Sequence, residues 1–145
     1  MLRPLVLLSI AALVAMQPGR PRQGPLCLTY EPAPVTLRGR LETHTFAGPP
    51  NFESIRNGDK RVDLPVLVLA RPVCINGDSA SELNTERESG VREIQLRIPL
   101  GSDSLATLVR HLQGLPVLVT GTLSHAVAGG EYTKVIFTVS KLRAA

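Results

Sequence analysis

Two stretches of the chain, "VTLRGRL" from Val35 to Leu41 and "VLVTGTL" from Val117 to Leu123, alternate apolar and polar residues and place a glycine in mid-run. Alternation with a period of two marks a strand with one buried face. A glycine inside such a strand gives up packing and signals a bulge or a sharp bend. Gly39 and Gly121 both fall on the apolar side of their runs, where a side chain would obstruct tight coiling. Small barrels need such corners to close.

Three more strands are legible. "LPVLVLARPV", Leu64 to Val73, is a continuous apolar run ended by proline and cysteine, while "VREIQLRI" sets Ile94, Leu96 and Ile98 on one face. "TKVIFTVSKL" does the same with Val135, Phe137 and Val139. Between the third and fourth strands the period changes. In "SDSLATLVRHL" the residues Leu105, Leu108, Val109 and Leu112 stand at helical spacing, with Ser102 or Ser104 placed to cap the start. The order predicts a mainly β chain, a five-stranded OB-like Greek-key barrel with one helix between strands three and four. The alternative is an open antiparallel sheet crossed by one helix, and the two inward glycines favour the barrel.

The start of the chain has a different character. Met1 to Met16, "MLRPLVLLSIAALVAM", carries one early arginine and then an unbroken apolar run. That run is shorter than the roughly 20 residues of a membrane-spanning helix and suits the hydrophobic region of a secretory signal peptide. Residues 1–15 are read as a signal peptide cleaved after Ala15, with a retained N-terminal anchor as the alternative and the one expected link to a membrane. "QPGRPRQGP", Gln17 to Pro25, has no apolar periodicity. Residues 16–25 are therefore a linker, and the OB-like domain spans 26–143. The expected location is outside the cytoplasm, in the periplasm or secreted.

The formal net charge of +4 invites a nucleic-acid reading that its distribution does not support. Three of the 16 basic residues, Arg3, Arg20 and Arg22, precede Pro25, which leaves 13 basic against 12 acidic residues in the domain. The chain has no Trp, and its aromatic residues are Tyr30, Phe46, Phe52, Tyr132 and Phe137. Nucleic-acid-binding OB domains use a basic groove with aromatic stacking platforms, so no nucleic-acid partner is expected. Enzyme signatures are missing as well: there is no G-x-S-x-G, no H-E-x-x-H and no phosphate-cradling glycine loop.

The two cysteines, Cys27 and Cys74, are most simply a disulfide in an exported chain. A metal site would want further ligands at short spacing, and a catalytic cysteine would leave its companion unexplained.

Two loops flank the ligand face usual for OB domains, and here they are His44 to Asp63 and Ala126 to Glu131. In the first, Asn51 is placed to cap a short helical turn, and Asn57-Gly58-Asp59 turns the chain back. Phe46, Phe52 and Ile55 are expected to plug the barrel end, leaving polar groups for recognition. The expected ligand-binding residues are Asn51, Glu53 and Asp59, with His125 and Glu131 across the hairpin turn. His125 and Glu131 make two metal ligands without a third, so neither a metal nor a cofactor is expected. The polar, charge-mixed stretch Ser79 to Gly90 reads as a mobile loop.

The segments "CLTYEPAPVTLRGRL", "FAGPPNFESI", "NGDK", "RPVCIN" and "VTGTLSHA" together resemble the exported bacterial proteins grouped as domain of unknown function 4431. The resemblance runs from about Cys27 to about Leu142. It implies an exported, periplasmic domain with OB-like strand order and no established activity. Where the family's turn after V-T-G-T-L-x-H-A carries several histidines, this chain has "VAGGEYT", which retains His125 and Glu131 alone. The expected function is that of a binding or accessory domain recognising an envelope protein or a glycan. The alternative is a small metal-dependent hydrolase using His44, His125 and a carboxylate.

Overall fold

The computed structural model describes residues 27–145, so the expected signal peptide and linker lie outside the described residues. The elements run β1 (Leu28–Thr29), β2 (Val35–Ala47), β3 (Arg61–Asn76), β4 (Glu88–Arg97), α1 (Asp103–His111), β5 (Pro116–His125) and β6 (Val135–Ala144). β2 to β6 close into a five-stranded barrel in the circuit β3-β2-β5-β6-β4, with β4 returning to β3. The β4–β6 contact is parallel and the other barrel pairings are antiparallel. This is the OB-like Greek-key barrel that the alternation predicts.

The position of the helix is corrected: α1 lies between the fourth and fifth strands, not the third and fourth. The cause is β1, a two-residue strand ahead of the barrel that pairs in parallel with the end of β3, Leu28 with Ile75 and Thr29 with Asn76. Two residues carry no periodicity. β1 exists because its neighbour Cys27 is tied to Cys74 by a disulfide. Ser102 takes the cap position, one of the two serines expected there, but makes no side-chain cap hydrogen bond, and Asp103 opens the first turn. A negative charge there complements the helix dipole.

β2 serves two partners. Its first half, Val35 to Arg40, pairs with β5, and its second half, Arg40 to Ala47, pairs with β3. The changeover falls beside Gly39, where an added Cβ would lie 2.6 Å from the Val68 carbonyl oxygen and 2.8 Å from Leu67 Cδ1. Gly121 sits at the register shift between β5 and β6 and faces the Thr138 carbonyl so closely that a Cβ would overlap it. Both glycines are therefore corners, as sheet closure in a small barrel demands.

Inside the barrel Leu41, Leu67, Ile94, Val117, Val119, Leu123 and Phe137 are fully buried. Each such side chain stabilises the fold by about 1.5–3 kcal/mol relative to exposure. Leu105, Leu108 and Val109 of α1, with Leu112 at its C-cap, pack against this core.

Candidate functional site

The loop between β2 and β3 is shorter than the sequence suggests, because Thr43 to Ala47 continue the ladder opposite Arg61 to Pro65. What remains, Gly48 to Lys60, is tied shut by Gly48 N–H to Lys60 carbonyl (2.6 Å) and Lys60 N–H to Pro49 carbonyl (2.9 Å). Its organiser is Asp59. One carboxylate oxygen accepts from Asn51 N–H (2.9 Å) and Asn51 Nδ2 (3.2 Å), and the other from Glu53 N–H and Ser54 N–H (both 2.8 Å). Backbone N–H groups of Ser54, Asn51 and Glu53 hold this carboxyl below its usual range. Asp59 is buried. Asp59 and Asn51, expected as recognition groups, are spent on building the loop, and Glu53 keeps its side chain for solvent.

That architecture carries a pH prediction. Asp59 ionises more readily folded than unfolded, so its contribution is fully present above the unfolded carboxylate range and is lost as pH falls through the lowered folded value. Asp63, lowered by the Thr45 hydroxyl and by Arg61, acts in the same direction. Amide-exchange protection at Asn51, Glu53 and Ser54 is expected to drop in acid before that of β5 and β6. Loss of loop and barrel protection at one common pH would contradict this.

The helical turn expected at Phe52 to Ile55 is instead a 3₁₀ turn over Ile55–Asn57, and Phe52 adopts the left-handed region at φ 61°. A bulky residue there is unusual and needs a reason. The consequence is visible in where its ring goes. The expected plug is absent: Phe52 and Ile55 are each 44% exposed. Phe52 leans over the β5–β6 turn at Gly129 and toward Tyr132, with ring centroids 6.4 Å apart, while Phe46 stacks on the same tyrosine at 4.5 Å. Val127 on the turn is also exposed.

Glu131 has a role like that of Asp59. It accepts from Val127 N–H (2.6 Å) and Ala128 N–H (3.0 Å) and pairs with Arg97, so it folds the turn and does not meet His125. Buried Gln95 completes the anchorage, donating to the Gly130 carbonyl (3.1 Å) and accepting from Tyr132 N–H (2.8 Å). The loop and the hairpin turn thus form one pre-shaped rim carrying Phe52, Ile55 and Val127.

His125 lies at the end of β5, and its partners come from the stretch read as mobile. Its Nε2 is 3.2 Å from Glu88 Oε1 and 3.8 Å from Glu86 Oε2, and its backbone N–H donates to Asn84 Oδ1 at 2.8 Å. Glu88 begins β4, opposite Ile75, and both Asn84 and Glu88 are buried. Pairing with β3 and the Asn84 bridge to β5 order this segment. Tyr30 lies beside the cluster, its ring edge-on to His125 with centroids 6.5 Å apart. Burial, with the fields of Glu88 and Glu86, pushes its hydroxyl up to about 12. His44 belongs to a different pair of carboxylates, Glu42 at 3.1 Å and Glu93 at 3.8 Å. The two histidines of the alternative hydrolase reading stand in separate clusters. Glu86 and Glu88 escaped the sequence reading, and the available signal was their spacing of two, which sets both on one side of an extended segment.

No protein-family model matches the chain, and comparison with curated proteins found no match.

Proposed function

We propose that this chain is exported and works as a binding module, docking the rim formed by the Gly48 to Lys60 loop and the β5–β6 turn onto a protein of the cell envelope. The observation that carries the reading is Phe52: a large apolar side chain held half-exposed, on a left-handed backbone, in a loop whose buried aspartate fixes every neighbour. Holding an aromatic ring outward on a rigid support is costly unless the ring is used, and aromatic anchors dominate protein interfaces.

A protein partner is favoured over a glycan. Sugar recognition needs many free hydrogen-bonding groups around an aromatic platform, and here Asn51, Asp59 and Glu131 are consumed within the loops. The large apolar side chains exposed on the rim are Phe52, Ile55 and Val127, bordered by the exposed Glu53, Arg56 and Lys60, an apolar centre with a charged edge of the kind protein interfaces use. Export is supported by the apolar run before Met16 and agrees with the Cys27–Cys74 disulfide. The similarity to the exported family of domain 4431 belongs to the same proposal.

The test compares capture from solubilised envelope by the wild-type chain, by Phe52→Ser and by Leu100→Ser, the last changing an exposed leucine outside the rim. Co-sedimentation with purified peptidoglycan serves as the glycan arm. The expected result is a discrete protein captured by wild type and Leu100→Ser but lost with Phe52→Ser, with no peptidoglycan binding. Peptidoglycan binding that depends on Phe52 would replace the protein with a glycan.

A further inference from the structure

We infer that Glu86, Glu88 and His125 form a binding site for one divalent transition-metal cation of the zinc class, an inference that goes beyond the docking rim and does not depend on it. One donor atom from each residue lies within 4.8 Å of the other two. Zinc takes imidazole nitrogen and carboxylate oxygen at about 2.0–2.2 Å, which puts adjacent tetrahedral ligands roughly 3.3–3.5 Å apart. His125 Nε2 and Glu88 Oε1, at 3.2 Å, stand within a few tenths of an ångström of that separation, and Glu86 at 3.8 Å is the exposed member, free to swing inward.

The two fixed ligands are held by backbone. Glu88 is set by its pairing with Ile75 in β3, and His125 by its position at the end of β5 and the Asn84 bridge. Lys134 takes the other Glu88 oxygen, Oε2, at 3.2 Å, which leaves Oε1 directed at the histidine.

A plain histidine–glutamate hydrogen bond accounts for Glu88 but not for Tyr30. The Tyr30 hydroxyl is buried, in a residue only 3% exposed, and has no hydrogen-bond partner among the described residues. Buried polar groups in folded proteins are nearly always paired. The ring that carries it stands edge-on to His125, and the hydroxyl feels the field of both carboxylates. A metal with an open fourth position supplies the missing partner, a bound water that donates to the phenol oxygen, and such outer hydrogen bonds orient metal ligands. His125 enters as the neutral ring with its proton on Nδ1, so that Nε2 offers a lone pair. Three protein ligands and one open position suit zinc, whereas calcium and magnesium prefer six or more oxygens.

The experiment uses the purified, disulfide-intact chain stripped with chelator, and measures zinc binding by calorimetry and cobalt binding by visible absorption. One equivalent of zinc and an intense tetrahedral cobalt spectrum are expected, neither displaced by excess calcium. Glu86→Gln changes an exposed side chain and leaves the fold intact, so it is the decisive variant. It and His125→Gln are each expected to weaken zinc by about a hundredfold, and Tyr30→Phe by about tenfold, the scale of ligand and outer-shell losses. His44→Gln should bind as wild type. No saturable zinc binding, unchanged binding in Glu86→Gln, displacement by calcium, or loss in His44→Gln would each overturn the site.

Discussion

Replacing Gly121 with alanine is expected to destabilise the protein by about 3 kcal/mol, the upper end for overpacking. The added methyl would overlap the Thr138 carbonyl oxygen and press on the Phe137 ring, which is fully buried. Neither neighbour can yield cheaply: one is backbone in β6 and the other fills the barrel. β5 would have to move off β6 at the bulge where the sheet turns. Denaturant unfolding measures the effect, with Gly129→Ala as control, since a Cβ there meets only the Phe52 ring at an ordinary 3.6 Å. Equal midpoints for the two variants would remove the close approach from the account of barrel closure.

Removing the disulfide by Cys27→Ala with Cys74→Ala is expected to cost about 4 kcal/mol in the chain-entropy treatment. It closes a separation of 47 residues. For a chain of this size the loss lowers Tm by on the order of 15 °C. The local consequence matters more for function. Cys27 anchors β1, and Tyr30 follows directly after it, held by its own burial and by Glu31 N–H to the Leu123 carbonyl at 2.8 Å. Without the bond, the segment carrying the Tyr30 hydroxyl loses its covalent tether, so zinc affinity should fall along with stability. A Tm within a few degrees of wild type would mean that β1 is held by pairing alone.

The barrel was legible because each long strand buries one face, so its period survives in the residues. Gly39 and Gly121 could be read as corners for the same reason, each interrupting a run whose other members point inward. β1 was not legible, since two residues have no period and owe their place to a disulfide partner 47 residues away. The loops misled in a consistent way. Polar residues in exposed loops predict groups that face a ligand, whereas Asp59 and Glu131 turn inward to satisfy the N–H groups of their own turns. A carboxylate near a tight turn has unpaired amides within reach, and serving them competes with serving a ligand. Phe52 was misplaced by the converse assumption that an apolar ring must be buried; a left-handed backbone directs it out. Glu86 and Glu88 were lost in a stretch whose composition resembles a mobile loop, because the order there comes from β3 and Asn84 and not from its own sequence.

In the proposed function Phe52 is the anchor of the docking rim. Its most direct test is photo-cross-linking in intact cells from a photoreactive residue placed at position 52, against the same residue at position 100. One discrete protein adduct from position 52, absent from position 100 and lost when Asp59→Ala unpicks the loop, is the predicted result. No adduct from position 52, or the same adducts from both positions, would contradict it.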